Sequence, residues 1–576
     1  MAKKSTRGQS RQDKSRQNEK KDRTKRAINQ WSQIGKTAQY LGRVSVREVL
    51  SHTFEGNSHA VQSYSENSYL FMTSDAEVAR QREERFAFEP KISVVVAAYE
   101  TPQERLMAMI ESLYVQTYSN WEVIIVDASE TNGVFQIIRM IQKKYPNLPI
   151  VYEHSKEDRG IASTFNMGLN RVESDYVAFV DHDDVLEPGA LYEIVKLLNE
   201  ESEADFIYTD EDMVSEDLNI YQRPCFKPDY NEELLNTNNY IGRLFVVKRE
   251  LIETIGAFRE EFEGAQDYDF VLRATEQARK ICHIPKVLYH KRLKNVSATS
   301  NPVGKVKSAE VAAKALMQHF ERIGTPCEVK MKLEQGYFRP IYKADKFKQL
   351  LVIISGAYFE ETKQITELRK FGVEIWHMPE ENSGQKYVFD RKYILMIEKA
   401  AFLPSKSALE EMMGILQRPD VGAVGTKSVN AKGKVVQNGL VYFENGLVCP
   451  AFAGLKKNYK GYQGRGELTQ YVSGINLYCA MLKKEAFEMT GGFLWELPHR
   501  YRAMDLCLQM KKAGYKLVQD PYVIVEMEEP EQYSTIEENR ARLILKERWE
   551  SELKSPDPYY NMNFEKGNAR YIVRQR

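Results

Sequence analysis

The chain has 576 residues, 43% hydrophobic and 28% charged, and its basic and acidic residues cancel to a formal net charge of zero. That length holds about two to four domains, and the composition is that of an ordinary globular protein able to bury a core, with no disulfide-like framework. Neutrality gives no bulk attraction to nucleic acid. The six cysteines are scattered without a CxxC pair, which suits a reducing compartment and argues against a zinc site.

From Met1 to about Arg26 the chain is rich in Lys, Arg, Gln and Ser, so residues 1–27 are expected to be a disordered basic tail. Three readings stay open for it: a solvated tail, an electrostatic tether to an anionic membrane, or a nucleic-acid contact. The last is weakened because no aromatic residue interleaves the basic ones. Residues 28–89 read as a helical lead-in, with helix-like pieces around Val46–Phe54 and Ala76–Arg85. No apolar run reaches the length of a membrane span, and the amino terminus lacks the apolar core of a signal peptide. A cytoplasmic protein, peripheral at the inner face of the membrane if its acceptor is lipid-linked, is the expectation.

At Pro90 the pattern changes. Ile92-Ser-Val-Val-Val-Ala-Ala98 reads as a buried strand, and Tyr99-Glu100-Thr101-Pro102 turns it into a helix from about Gln103 to Gln116. Trp121–Val126 is a second strand ending at Asp127, followed by a helix from about Val134 to Lys144. Ile150–Glu153, a loop through Arg159-Gly160 and a helix to Asn170 come next. Tyr176-Val-Ala-Phe-Val180 is then an apolar strand running straight into Asp181-His182-Asp183-Asp184. Strands alternating with helices of this size give a mostly parallel sheet, and the carboxyl ends of its strands form one rim. Tyr99, Glu100, Asp127, Asp181 and Asp183 share that rim, where open α/β sheets bind ligands. Two carboxylates two residues apart suit a hard divalent cation completed by phosphate oxygens; the alternative is a solvated acidic turn. No GxGxxG loop or Walker A lysine is present.

Further on, Thr209-Asp210-Glu211-Asp212 follows the strand Phe206–Tyr208, as either the wall of an acceptor pocket or a solvated acidic loop. Asn238-Asn-Tyr240-Ile-Gly242 is expected beside an acceptor channel. Asp267 and Asp269 open a helix, where they either cap it or do chemistry. His290 closes an apolar run before Lys291-Arg292.

Val94–Glu100, Ile125-Val-Asp127-Ala-Ser129, Arg159-Gly160-Ile-Ala, Asp181-His-Asp183-Asp184 and Gln266-Asp267-Tyr-Asp269 together resemble the ordered motifs of family-2 glycosyltransferases of the GT-A fold. The resemblance covers about Pro90 to Gly324. It implies that Ala98, Tyr99, Glu100 and Asp127 hold the nucleotide, with Arg159 near the base or diphosphate. Asp181 and His182 would lie on the nucleotide-sugar. Asp181, Asp183 and His290 would serve a divalent cation, Mn²⁺ or Mg²⁺. Asp267 would be the general base of a single inverting displacement, with Asp269, Asp210 and Asp212 as supporting or acceptor-side residues. The donor would be a nucleoside-diphosphate sugar. The acceptor would be a polysaccharide or lipid-linked oligosaccharide of a bacterial cell surface, with dTDP-rhamnose ranked before UDP-hexoses by analogy. A homo-oligomer or a complex with other transferases is also implied.

The second half repeats the first. Leu350–Ile354 answers the first strand, Tyr393–Ile397 answers Tyr176–Val180, and Glu485–Phe493 answers Glu250–Phe258. By position Glu398-Lys399-Ala400-Ala401 replaces Asp181–Asp184, Ala503 replaces Asp267 and Glu526 replaces His290, while Asp505 survives opposite Asp269. The expected fold is therefore an α/β GT-A domain at residues 90–330 and a degenerate second copy at 346–528. A helical extension at 529–576, amphipathic around Ile536–Leu553, would pack back on the domain or lie on a membrane. The second copy reads either as a structural pseudoenzyme or as a glycan-binding module, with Tyr459, Tyr462, Tyr471 and Tyr478 stacking on sugar rings. Two rival classes are a non-catalytic glycan-binding scaffold and a nucleotidyltransferase. The latter lacks the expected Gly-rich loop with a basic residue after the first strand.

Overall fold

Alternating apolar side chains split the first strand between two layers. Ile92, Val94 and Val96 pack into one apolar cluster, and Val95 packs into another. The sheet is therefore covered on both faces, as the continuous apolar runs require. In the computed structural model the described residues are 64–155, 160–293, 302–332, 336–355, 363–378, 390–398, 404–527 and 532–575. The expected basic tail, the Val46–Phe54 helix, Arg159 and Lys399–Ala401 lie outside them.

Nine strands build the first sheet: β1 (Ile92–Ala98), β2 (Trp121–Asp127), β3 (Ile150–His154), β4 (Tyr176–Asp181), β5 (Val185–Leu186), β6 (Phe206–Val214), β7 (Tyr221–Cys225), β8 (Phe245–Lys248) and β9 (Ile281–Arg292). Their order is β3-β2-β1-β4-β8-β6-β9-β5, with β7 on β6. The β1–β2, β1–β4, β2–β3 and β6–β9 pairs are parallel, whereas β8 runs antiparallel to both β4 and β6. Helix α1 (Gln103–Tyr114) buries Leu106, Met109, Ile110 and Leu113, the one-sided spacing of an amphipathic helix. On the other face α2 (Ile161–Leu169) lies so close that a Cβ on Gly168 would come within 2.5 Å of Val95. Only glycine allows that approach.

A hairpin, β10 (Cys327–Lys332) with β11 (Tyr337–Tyr342), leads to the second sheet. This comprises β12 (Leu350–Ser355), β13 (Glu374–Met378), β14 (Tyr393–Glu398), β15 (Val421–Val429) and β16 (Val435–Gln437). After the hairpin β17 (Leu440–Tyr442) and β18 (Val448–Pro450) come β19 (Gln470–Tyr471), β20 (Cys479–Lys483) and β21 (Lys516–Glu526). Its order is β13-β12-β14-β20-β15-β21-β19. The run β13-β12-β14-β20-β15-β21 repeats β2-β1-β4-β8-β6-β9 with the same parallel and antiparallel senses.

The two sheets share a core. One apolar cluster contains Val95 and Phe179 from the first together with Phe320, Phe338, Leu350 and Met412 leading into the second. At the junction the Asn231 side chain bonds both the amide and the carbonyl of Tyr471, each at 3.0 Å. Arg418 pairs with Glu233 there, both buried.

The carboxy-terminal extension packs back on the protein. Helix α3 (Thr535–Arg548) starts with a Ser534–Glu537 capping box and buries Ala541 and Leu545, while Ile536 and Leu543 face solvent. Trp549 and Leu553 continue into the second sheet's core. The chain then returns to the first sheet, where Asn561 donates to Asp210 at 2.9 Å and Phe564 packs edge-on against Phe226.

Of the four tyrosines expected to stack on sugars, three are otherwise engaged. Tyr462 packs on Phe226 and donates to the Pro224 carbonyl at 2.5 Å, Tyr471 accepts from Arg418 at 2.6 Å, and Tyr478 stacks on His499. Tyr459 alone of the four is exposed. Among the described residues no helix is long and apolar enough to cross a membrane.

Candidate active site

The parallel register brings three strand ends level: Ala98 sits opposite Asp127, and Ala97 opposite Asp181. The buried Asp127 carboxylate accepts the Ser129 amide at 2.9 Å and the Tyr152 hydroxyl at 2.8 Å. Glu100, at φ 44°, accepts the amide and hydroxyl of Thr131 at 2.9 and 2.7 Å. Those bonds lower its pKa, chiefly through the Thr131 amide. Tyr99 is exposed beside it, and Ala98 is buried. His182 Nδ1 lies 3.0 Å from Thr101 Oγ1. These predicted residues therefore gather on one rim.

At the β4 end the carboxylates have different partners. Asp183 is buried, with Arg105 Nη1 at 3.6 Å from its Oδ2. Asp184 accepts the Tyr289 hydroxyl and the Arg292 amide, both at 2.8 Å, and burial together with Asp181 and Asp183 pushes its carboxyl up to about 7. Asp181 alone of the three stands 41% exposed, with its Oδ1 accepting from Arg243 Nε at 3.2 Å and Nη2 at 3.0 Å.

Arg243 also reaches Asp267, Nη2 to Oδ2 at 2.9 Å, so one guanidinium spans the end of β4 and the start of α4 (Gln266–Gln277). Burial pushes the Asp267 carboxyl up by more than Arg243 offsets. For Asp181 the balance is reversed: burial raises it, but Arg243 together with Lys291 and His182 outweighs burial and the net shift is downward. Asp267 Oδ1 and Arg243 Nη1 are buried and have no hydrogen-bond partner among the described residues. Buried polar atoms are normally satisfied, and these two belong to side chains in direct contact with each other.

A second network fixes Arg243. Its amide donates to Glu211 Oε2 at 3.0 Å, and its carbonyl accepts from the buried Lys227 Nζ at 2.9 Å. Glu211 is held between Lys227 and Lys291, at 3.1 and 2.5 Å. Burial raises the Glu211 carboxyl, the two lysines outweigh it, and the result is a lowered pKa. Gly242, at φ 57°, passes so near that a Cβ would lie 2.8 Å from Glu211. Arg243 and Lys227 carried no candidate role in the sequence, and Glu211 only as part of the acidic stretch 209–212. The available signal was a lone arginine entering the apolar strand Leu244-Phe-Val-Val247.

Four predicted residues are held by partners of their own. His290 gives Nδ1 to Asp212 at 2.6 Å and Nε2 to Glu187 at 2.9 Å, so neither ring nitrogen is left for a metal in this arrangement. Burial disfavours its charge, but the two carboxylates outweigh that and raise it to about 10. Asp212 is therefore a buried ion-pair partner. Asp210 is fully buried between His283 Nε2, the Lys227 amide, Asn561 and Asn563. Both lie buried inside β6 and not in a solvated acidic loop, because the strand runs on to Val214. Asp269 is buried between Arg259 and Arg273 and fixes the helix that presents Asp267.

In the second sheet Glu398 ends β14 as Asp181 ends β4, and His499 Nε2 lies 2.9 Å from its Oε2. Tyr478 stands where Arg243 stands, because Lys248 pairs with Tyr176 as Lys483 pairs with Tyr393. The buried Ala503 lies on the helix His499–Lys512, the counterpart of α4. Val429 faces Glu526 where Asp212 faces His290.

Asp181 and Asp183 supply oxygen donors at one strand end, the donor chemistry a hard divalent cation takes when substrate phosphate completes its shell. Among the described residues no group of three or more His, Cys, Asp or Glu side chains is placed to hold a metal unaided.

The fold and rim define an α/β protein whose polar side chains gather at the carboxyl ends of parallel strands, where open α/β sheets bind their ligands. Residues 93–256 match the family model described as glycosyl transferase family 2. The chain is 30% identical over 526 residues to "Uncharacterized protein y4gI" of Sinorhizobium fredii, covering 82% of this chain and 57% of that one. It is 26% identical over 479 residues to "O-antigen biosynthesis protein RfbC" of Myxococcus xanthus, covering 76% of this chain and 37% of that protein. It is 30% identical over 197 residues to "Uncharacterized glycosyltransferase YwdF" of Bacillus subtilis, covering 33% of this chain and 69% of that protein. The chain thus spans 57% and 37% of the length of the first two relatives. It belongs to glycosyltransferase family 2.

Proposed function

We propose that the first sheet transfers a sugar from a nucleoside-diphosphate donor to a bacterial cell-surface polysaccharide or its lipid-linked precursor, inverting the anomeric centre. The observation that carries this reading is the unpartnered Asp267 Oδ1, held beside Asp181 at the ligand-binding rim of the sheet. A carboxylate whose pKa is raised by burial, with one free oxygen, is equipped to take a proton. The acceptor oxygen bonds to the anomeric carbon as its proton passes to Asp267. The bond from that carbon to the phosphate oxygen breaks, and its electron pair leaves with the diphosphate. Asp269, through Arg259 and Arg273, keeps the helix of Asp267 in place. Ala98, Tyr99, Glu100 and Asp127 form the wall on which the nucleotide would lie. A divalent cation, Mn²⁺ or Mg²⁺, would be held by Asp181 and Asp183 and would neutralise the departing diphosphate.

The polysaccharide acceptor is supported by the likeness to an O-antigen biosynthesis protein. Rhamnose from dTDP-rhamnose ranks first as the donor sugar and UDP-hexoses second, by analogy alone. The second sheet, with Tyr478 and Ala503 at the positions of Arg243 and Asp267, is proposed to be non-catalytic.

The test is turnover of a panel of dTDP- and UDP-sugars by the full chain with Mn²⁺ or Mg²⁺. One donor should react, and EDTA, Asp183→Ala and Asp267→Asn should each abolish the reaction, the last by about 10²- to 10⁴-fold. Unchanged turnover in Asp267→Asn would remove the assigned base. If the wild type binds no donor, the transferase reading gives way to a non-catalytic scaffold.

A further inference from the structure

Resting on that transferase reading, we propose that Arg243 is a catalytic residue: its Nη1 binds the diphosphate of the donor and stabilises the charge that departs with it. The remaining nitrogens of the fork are already committed, Nε and Nη2 to Asp181 and Nη2 also to Asp267. Of the nitrogens of this guanidinium, Nη1 alone is buried without a partner among the described residues. A guanidinium is charged at every working pH and presents its donors in a fixed plane, so binding two carboxylates aims the third nitrogen. An unpaired buried cationic donor is costly, and a phosphate oxygen is the partner whose charge and geometry match it.

The surroundings are built to keep this group still. The guanidinium carbon lies 5.6 Å and 5.7 Å from the ring centres of Phe165 and Phe245. Apolar rings on its flanks exclude water, which strengthens its attraction for a developing anion. Its backbone is pinned on both sides, by Glu211 at the amide and Lys227 at the carbonyl, and Gly242 permits the close packing. Such anchoring would be superfluous for a surface ion pair. It is what a transition-state donor requires, because a preorganised charge needs no rearrangement as the bond breaks.

The second sheet carries the complementary observation. Tyr478 occupies the Arg243 position and Ala503 the Asp267 position, so the cation and the carboxylate are absent together. During transfer the anomeric carbon–oxygen bond breaks with its electron pair on the terminal phosphate oxygen, where Arg243 Nη1 receives the charge. The acceptor proton goes to Asp267 Oδ1.

Calorimetry on the full chain separates the two claims, using UDP, dTDP, UMP and dTMP as probes. The wild type should prefer the diphosphate of its nucleotide over the monophosphate. Arg243→Gln should weaken diphosphate binding by about tenfold or more while monophosphate affinity stays within about twofold. With the donor identified by turnover, kcat should fall about 10²- to 10³-fold. Arg243→Lys should recover part of both. If Arg243→Gln lowers the melting temperature sharply, the comparison moves to an Asp267→Asn background, where removing the cation leaves fewer unpaired charges. The diphosphate preference should survive Asp267→Asn alone and disappear in the double variant. A folded Arg243→Gln protein with wild-type diphosphate preference and kcat would overturn the role of Arg243 and leave the transferase reading intact. A wild type that binds none of the four nucleotides would overturn both.

Discussion

The two sheets share strand order and strand sense, yet they differ at almost every strand end where the first sheet carries charge. Asp181, Arg243 and Asp267 in the first correspond to Glu398, Tyr478 and Ala503 in the second. The Asp212–His290 pair across β6 and β9 corresponds to Val429 opposite Glu526, and that glutamate is exposed. Apolar strand interiors set the fold, and the polar strand ends can be replaced without altering it. The buried charges also change in sets, not singly. A buried ion left without its partner is strongly destabilising, so the loss of Asp212 goes with the loss of a buried His at the facing position.

The largest expected contrast is in catalysis. Glu398→Gln should leave kcat within about twofold of wild type, set against the loss of about 10²-fold or more expected for Asp267→Asn. A comparable loss in Glu398→Gln, measured as donor turnover in the same assay, would mean that the second sheet takes part in the reaction.

The next contrast concerns stability at the junction. Arg418→Met leaves the Glu233 carboxylate buried without its cation, and should cost about 3–5 kcal/mol in chemical denaturation. The shared apolar core predicts that this loss shifts a single transition. Two separate transitions, with only one of them moved, would show that the sheets fold independently.

The smallest effect is a pH dependence. His290 is raised from an ordinary value of about 6.5 to about 10, so its charged form is favoured in the folded protein. Its ion pairs should contribute fully below the unfolded value and lose that contribution as the pH rises through about 10. Thermal melts of wild type and His290→Gln should therefore converge as pH increases from 7 to 10. A constant or widening gap would contradict the charged His290 between Asp212 and Glu187.

Much of this molecule was legible in its sequence. Ile92–Ala98, Trp121–Val126 and Tyr176–Val180 declared themselves as strands because burial on two faces demands unbroken apolar runs. The repeat was visible for the same reason, and the carboxylates ending β2 and β4 marked the rim. Each of these signals is local, carried by neighbouring residues along one element.

The assignments that depended on distant partners were decided by the tertiary structure. Arg243 meets Asp181 across 62 residues of sequence, and His290 meets Glu187 across 103. A carboxylate in a sequence does not disclose whether a cation, a hydroxyl or solvent will face it. Asp210 and Asp212 looked like loop residues because the apolar pattern stops at Tyr208, yet β6 continues and its buried charges are satisfied from other elements. The sequence by itself determined the strands, their repeat and the chemical character of the rim, because apolar periodicity is enough to set them. Which charges are buried and what pairs with them depended on register and packing, which bring together groups far apart in the chain.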